Sequence, residues 1–277
     1  MARGRIVKQI SNTYTVDFEG EIYECKARGK FRNINVTPLV GDFVNFDVDN
    51  NYILEVLPRK NELTRPSICN IDQAVIITSL KQPDFDTNLL DKLLCIIEFN
   101  NIKPIIIFTK ADLLSKSEMA DFKKYYDYYK KYYEVYMNTE LSKIKKIFKN
   151  KVSVFTGQSG AGKSTLLNNL DKSLNIKTGE ISLALNRGRH TTRHTSLLKI
   201  YDGLVADTPG FSALNFGEMT PSDIRDNFTE FNDYRGECKY KDCMHNKEGD
   251  CIIKDKVLEG AILNSRYQNY INFINKG

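Results

Sequence analysis

Gly157-Gln158-Ser159-Gly160-Ala161-Gly162-Lys163-Ser164 matches the phosphate-loop pattern G-x-x-x-x-G-K-S/T in full. Its surroundings fit as well. The apolar run Lys151-Val152-Ser153-Val154-Phe155-Thr156 reads as a buried strand before it, and Thr165-Leu166-Leu167-Asn168-Asn169-Leu170 opens a helix after it. Glycines at this spacing let successive backbone N–H groups point into one concavity, and the helix N-terminus favours negative charge there. Lys163 is placed to reach the β- and γ-phosphates of a nucleotide, and the Ser164 hydroxyl to ligate Mg²⁺. Strand, loop and helix in this order commit the middle of the chain to an α/β fold.

Two further motifs narrow the chemistry. Asp207-Thr208-Pro209-Gly210 follows the strand-like Leu204-Val205-Ala206. An Asp there can hold Mg²⁺ through water, and the Gly210 amide can sense a γ-phosphate. Thr109-Lys110-Ala111-Asp112 follows Ile105-Ile106-Ile107-Phe108 and resembles the guanine motif Asn-Lys-x-Asp, with Thr in the first place. The Asp112 carboxylate can accept from both N1–H and the exocyclic amino group of guanine, a pairing that adenine cannot offer. The Lys110 stem can cover the base face. A backing loop for the guanine O6 falls after Glu134-Val135-Tyr136-Met137, at Asn138-Thr139. The order is the informative part: the guanine motif precedes the phosphate loop, a circular permutation of the usual GTPase order. Ligands bind at the carboxyl ends of strands whatever the connectivity, so the permuted loops can still converge.

Between the phosphate loop and Asp207 lies Arg187-Gly188-Arg189-His190-Thr191-Thr192-Arg193-His194-Thr195, where a switch is expected. Thr191 or Thr192 would complete the Mg²⁺ shell. Phe211 stands where many GTPases carry a water-orienting Gln, and Phe cannot orient water. His190 is the candidate for that task, with a group supplied by a partner as its rival. Because the segment after Gly210 runs straight into the C-terminal part of the chain, γ-phosphate occupancy is expected to set the angle of that part.

Cys238-x4-Cys243-x-His245-x5-Cys251 gives three thiolates and one imidazole, the donor set of a closed, structural tetrahedral zinc site with no vacancy for a catalytic water. The helices around it look small and charged, so one zinc ion per chain is expected to supply stability that their core cannot. Cys25, Cys69 and Cys95 sit in apolar contexts and read as buried thiols.

The remaining organisation is readable from texture. Five short strands, at Gly4–Val7, Thr13–Val16, Glu21–Cys25, Asp42–Phe46 and Tyr52–Val56, fit a small barrel of the OB type. Arg28-Gly29-Lys30-Phe31-Arg32 places three cations and an aromatic on a loop suited to RNA backbone and base stacking. Leu57-Pro58-Arg59-Lys60-Asn61 through Arg65-Pro66 reads as a linker, after which strands and helices alternate as in a doubly wound parallel sheet. Glu118 to Tyr133, dense in Lys and Tyr, reads as an amphipathic surface helix with aromatics inward, a nucleic-acid stripe being the alternative. The expected domains are a barrel at 1–66, a permuted GTPase domain at 67–215 and a helical zinc module at 216–277. Apolar residues at 41% and charged residues at 27% suit a globular chain. No apolar run approaches the roughly 20 residues of a membrane helix. The N-terminus lacks the apolar core of a secretion signal, so a cytoplasmic protein without membrane association is expected. The net charge of +5 is mildly basic and only suggests a polyanionic partner.

These motifs together resemble the bacterial family of ribosome small-subunit-dependent GTPase A. The resemblance runs through Gly41-Asp42, Arg65-Pro66, Asn70-Ile71-Asp72-Gln73, the guanine motif, the phosphate loop, Arg189-His190-Thr191-Thr192, Asp207 to Phe211 and Cys238 to Cys251. It implies a GTP hydrolase stimulated by the small ribosomal subunit, acting late in that subunit's maturation. It also implies contact with rRNA and departure on hydrolysis to GDP; the chain is expected to act as a monomer. A small-molecule kinase would share the phosphate loop but leave the guanine motif and the cysteine cluster unexplained.

Overall fold

The computed structural model describes residues 1–27, 31, 36–64, 67–171, 196–207, 215–217 and 219–276. The strands are β1 (Ala2–Ile10), β2 (Thr13–Phe18), β3 (Glu21–Ala27), β4 (Phe43–Asp47), β5 (Tyr52–Val56), β6 (Glu62–Thr64) and β7 (Ser67–Cys69). They continue with β8 (Gln73–Ser79), β9 (Lys103–Thr109), β10 (Glu134–Met137), β11 (Val152–Gly157), β12 (Ser196–Ile200) and β13 (Gly203–Asp207). The helices, in chain order, are α1 (Thr87–Phe99), α2 (Lys116–Tyr132), α3 (Leu141–Ile147) and α4 (Lys163–Leu170). Then come α5 (Pro221–Asp226), α6 (Ile252–Leu258) and α7 (Asn264–Lys276). The chain forms two compact units that interleave along the sequence. One comprises Met1–Val75, Thr139–Thr156 and Lys163–Phe211, the other Ile76–Asn138, Gly157–Gly162 and Ser212–Gly277.

The first unit begins with the expected barrel. β1 pairs antiparallel with both β2 and β4, β2 with β3 and β4 with β5, while β3 and β5 pair in parallel, closing a five-stranded ring. Closure removes the free edges that an open five-stranded sheet would expose. Alternation sends Ile6, Val16, Cys25, Val44, Phe46 and Ile53 inward, all fully buried. Phe31 is buried as well, so it packs in the core and is not offered for base stacking. Arg28, Lys30 and Arg32 lie outside the described residues.

Of the expected linker, residues 57–64 are described, and Glu62–Thr64 forms a strand. β6 and β7 form a hairpin, and the buried Asp42 carboxylate is the reason the chain folds back there. A buried carboxylate needs compensating donors. Arg59 supplies a fork, Nε to Oδ1 and Nη2 to Oδ2, both at 2.7 Å, while the Leu39 amide donates to the same carboxylate at 2.7 Å. The Cys69 thiol adds a fourth donor at 3.0 Å. Asn61 and Ile71 exchange two hydrogen bonds of 2.8 Å across the hairpin base. Gly41 has φ +98, and a Cβ there would stand 2.1 Å from the Cys69 carbonyl oxygen, so only glycine lets the two segments meet.

Beyond the barrel, β12 pairs antiparallel with β13 and touches β1 at Lys8↔Ser196. β13 runs parallel to β11, with Val154 opposite Ala206. The start of β8 is held beside β11 by Asp72, whose amide donates to the Val152 carbonyl and whose carboxylate accepts from the Val152 amide. In the second unit β9 and β10 run parallel, from Ile105↔Glu134 to Phe108↔Met137, and β8 neighbours β9. Asp86 caps α1 and Ser115 with Glu118 forms a capping box on α2, which fixes where each helix begins.

The C-terminal part differs from the small, core-poor module that its charged sequence suggests. Phe228, Phe231, Ile253, Ile262, Tyr270 and Phe273 are buried in one cluster with Cys95 and Ile96 of α1. Above that cluster sits a buried polar network. Arg266 of α7 donates from Nε to Glu230 at 2.6 Å, from Nη1 to Asp91 of α1 at 2.8 Å and from Nη2 to the Tyr133 hydroxyl at 3.2 Å. The Tyr129 hydroxyl and the Asn269 amide also donate to Asp91, at 2.6 and 2.7 Å, and the Tyr128 hydroxyl donates to Glu230 at 3.0 Å. Burial works against the Arg266 charge, but Glu230 and Asp91 outweigh it and hold the guanidinium well above the ordinary arginine range. The C-terminal part is thus bolted to α1 and α2, and tilting it against them would uncover fully buried charges. Removing one partner of such a set leaves the others charged and unpaired, at about 3–5 kcal/mol. Arg266→Ala should therefore lower the unfolding free energy by that amount in a urea titration; a loss below about 1 kcal/mol would mean that the two carboxylates find other donors.

Candidate nucleotide site and metal centre

In the second unit, the carboxyl end of β9 delivers the guanine motif, and Gly157, the last residue of β11, opens the phosphate loop. The two are joined by a side chain. Thr109 Oγ1 lies 2.6 Å from the Ala161 carbonyl oxygen and 3.4 Å from that of Thr78. A hydroxyl has one proton, so the shorter contact is the hydrogen bond. Both Thr109 and Ala161 are buried, so this bond is shielded from water. The Thr in place of the usual Asn therefore ties the guanine motif to the loop on which phosphates would sit.

Around this tie the backbone is tightly specified. Gly157 has φ +126, and a Cβ there would lie 1.9 Å from the Ile77 carbonyl oxygen, so the loop leaves the sheet hard against β8. Lys110 adopts the left-handed conformation at φ 60, and its ammonium donates to the Gln82 carbonyl. Ala111–Leu113 forms one 3-10 turn that presents Asp112 to solvent. Asn138 donates its amide to the Phe108 carbonyl at 2.8 Å, which places the start of the proposed O6 loop alongside the end of β9; Thr139 follows it in the chain. Sequence reasoning missed the segment after β8. Gln82 accepts from Lys110, the Asp84 carbonyl accepts from Gln158 Nε2 at 3.3 Å, and Pro83 would be 3.7 Å from a Cβ on Gly160. Its only signal was a turn-forming Gln-Pro-Asp after a buried strand.

In the first unit, Lys163 and Ser164 open α4. Burial lowers the Lys163 pKa, the direction expected of an ammonium held where an anion would belong. Ser164 is buried. Asp207 ends β13, which runs out at the same edge of the sheet as its parallel neighbour β11. Hydroxyl and carboxylate are hard oxygen donors and suit Mg²⁺. His190, Thr191, Thr192 and Gly210, with Phe211, lie outside the described residues. A polar cavity of about 520 Å³ in this unit is lined by Arg5, Asp17, Lys151, Lys199 and Asp202 among others, and by none of the motif residues.

The cysteine cluster assembles as its spacing suggests. Ligand atoms of Cys238, Cys243, His245 and Cys251 all lie within 4.8 Å of one another. Cys238 Sγ stands 3.6 Å and Cys251 Sγ 3.3 Å from His245 Nδ1. A tetrahedral site with metal–sulfur bonds near 2.3 Å and metal–nitrogen bonds near 2.0 Å has edges of roughly 3.5–3.8 Å, so the donors fit a metal ion. Burial, reinforced by Arg225, lowers the His245 pKa to about 4, which keeps the ring neutral and able to ligate. Burial pushes the Cys243 thiol up to about 12, a deficit of positive charge that a dication would remove. The Tyr267 hydroxyl holds the His245 carbonyl at 2.8 Å and so fixes the ligand's backbone. Cys25, Cys69 and Cys95 are buried, as expected.

Residues 56–217 match the model of the RsgA GTPase family and residues 3–53 that of the RsgA N-terminal domain. The protein named small ribosomal subunit biogenesis GTPase RsgA 2 of Oceanobacillus iheyensis is 48% identical, covering 99% of this chain and 97% of its own. The protein named small ribosomal subunit biogenesis GTPase RsgA of Latilactobacillus sakei is 45% identical, over 99% and 95%. Among solved structures, YloQ, described as a circularly permuted GTPase, superposes with a TM-score of 0.84 at 36% identity, over 100% of this chain and 94% of that one. YjeQ from Thermotoga maritima gives 0.86 at 34%, over 99% and 98%. The two family models, the full-length relatives and the full-length structural matches agree, and the chain belongs to the RsgA family of circularly permuted GTPases.

Proposed function

We propose that this chain hydrolyses GTP to GDP and phosphate on the small ribosomal subunit, as a late maturation and release factor. The observation that carries the reading is the Thr109–Ala161 hydrogen bond, which couples the guanine motif to the phosphate loop. The partner follows from relatives whose names place them in small-subunit biogenesis.

In this reading Asp112 accepts from the guanine N1–H and amino group, Lys110 covers the base, and Asn138 with Thr139 backs O6. The amides of residues 157–162 cradle the phosphates, with Thr165 in the first turn of α4, and Lys163 neutralises the β- and γ-oxygens. Ser164, Asp207 and one of Thr191 and Thr192 would hold Mg²⁺, which when bound spreads the charge developing on the transferred phosphoryl group. The Gly210 amide senses the γ-phosphate. His190 orients or deprotonates the attacking water, the task Phe211 cannot perform.

The barrel at 1–66 contributes rRNA contacts through the cations Arg28, Lys30 and Arg32, followed by the GTPase domain at 67–215 and the zinc module at 216–277. Zinc is the ion that three thiolates and an imidazole select, held by Cys238, Cys243, His245 and Cys251 as a structural centre. The chain works as a monomer in the cytoplasm, where its ribosomal partner is made. Among the described residues no helix is long and apolar enough to cross a membrane.

Two measurements test this. Elemental analysis of purified protein should find one zinc per chain, lost in Cys251→Ser together with a lower melting temperature; metal-free protein of unchanged melting temperature would remove zinc from the account. GTP turnover should rise about tenfold or more when small ribosomal subunits are added. His190→Ala should cut the stimulated rate about a hundredfold with GTP affinity unchanged. Unstimulated turnover in the presence of subunits would defeat the ribosomal reading, and full stimulated activity in the variant would exonerate His190.

A further inference from the structure

Helix α2 has two faces with different tasks. Inward, Phe122, Tyr128 and Tyr129 are buried, and Phe122 packs edge-on against Phe108 at 4.8 Å between ring centroids. Outward, Lys116, Lys123 and Lys130 recur at seven-residue intervals, so they lie almost above one another on a helix of 3.6 residues per turn. Lys124 and Lys131 form a second row about 100° further round, and all five are exposed. At 1.5 Å per residue the double row spans about 22 Å. Ala120 and Asp127 lie between the rows and the exposed Met119 borders the first, so the face carries five cations against one acid.

Glu118 and Glu134, the acids at either end of the helix, are taken by Lys81 and Lys103. Among the described residues no carboxylate pairs with any of the five lysines. Two lysines are instead braced by aromatic rings, Lys124 Nζ 5.0 Å from the Tyr125 centroid and Lys130 Nζ 5.5 Å from that of Tyr126. Such bracing lowers the entropy lost when a flexible lysine is immobilised on a ligand. The capping box at Ser115 and the packed aromatic face keep the helix rigid beneath them.

We propose that the outward face of α2 is a docking surface for the phosphate backbone of RNA. A double row of ammonium groups without carboxylate partners among the described residues, and without a guanidinium fork, suits sequence-independent contact with phosphates. A lipid surface is a poor occupant, because a helix lying on a membrane turns its apolar face outward, and here that face is buried. The proposal rests on the ribosomal reading above for its partner, and adds a contact on the GTPase domain itself, separate from the barrel.

The test replaces Lys123, Lys124, Lys130 and Lys131 together by Gln, positions whose exposure spares the fold. A control replaces Lys145, Lys146, Lys149 and Lys151 by Gln, for the same change in net charge. Binding to small ribosomal subunits and to their protein-free rRNA is measured against salt concentration. Each lost phosphate contact lowers the slope of log K against log[salt] by about 0.7–0.9, so the α2 variant should lose about three units of slope on both probes. GTP affinity should be unchanged, and the control slope should stay near wild type. An unchanged slope in the α2 variant, or an equal loss in the control, would overturn the proposal while leaving the ribosomal reading intact. Loss on subunits but not on bare rRNA would assign the face to an acidic protein. Wild-type protein that binds neither probe would sink both.

Discussion

A single hydroxyl decides whether permuted motifs can serve one ligand. Thr109 ends β9, Ala161 lies in the loop after β11, and the 2.6 Å bond between them closes the gap that the altered chain order opens. Circular permutation changes which strand comes first but not which edge of the sheet the loops leave from, so the order of motifs is free while their meeting place is fixed. The meeting still needs a strut, because β8 stands between β9 and β11 in the strand order and the two loops leave strands that are not adjacent. Thr109 provides it from a buried position, where a hydrogen bond meets no competition from water. Gly157, pressed against the Ile77 carbonyl, provides the matching restraint from the phosphate side.

The second constraint is electrostatic. Arg266 joins Glu230 in the C-terminal part to Asp91 on α1, and Tyr128, Tyr129 and Tyr133 at the end of α2 complete the set. The same helix that shields its aromatics in this network turns its lysines to solvent. The network also limits how a nucleotide signal can travel. The sequence suggests a C-terminal module that hangs from the segment after Gly210, its angle set by γ-phosphate occupancy. A module bolted through buried charges moves together with α1 and α2, or breaks the network at a cost of several kcal/mol.

Much of this was legible in the residues. The five expected barrel strands form, and so does the buried strand expected at Lys151–Thr156, because an apolar run of that length is satisfied by burial in a sheet. The phosphate loop, the permuted guanine motif and the Cys₃His spacing were readable because each chemistry demands its residue types at fixed intervals. What escaped was long-range pairing of polar side chains. Leu57 to Asn61 has the composition of a linker, and only the buried Asp42, some seventeen positions away in sequence, makes Arg59 structural. Phe31 sits among three cations and invites an RNA reading, yet its environment is set by the core beneath it. Arg266, Asp91 and Glu230 belong to no motif, since any cation and any acids would read the same until the helices are packed.

The most direct test of whether the two motifs serve one nucleotide is equilibrium binding of fluorescently labelled GDP to the purified chain and to two variants, Asp112→Ala and Lys163→Ala. If both motifs line one site, one GDP binds per chain, a large excess of ATP fails to displace it, and either substitution weakens it by about a hundredfold or more. Two independent sites, or a Lys163 variant that still binds and still discriminates guanine from adenine with Asp112 irrelevant, would contradict the account.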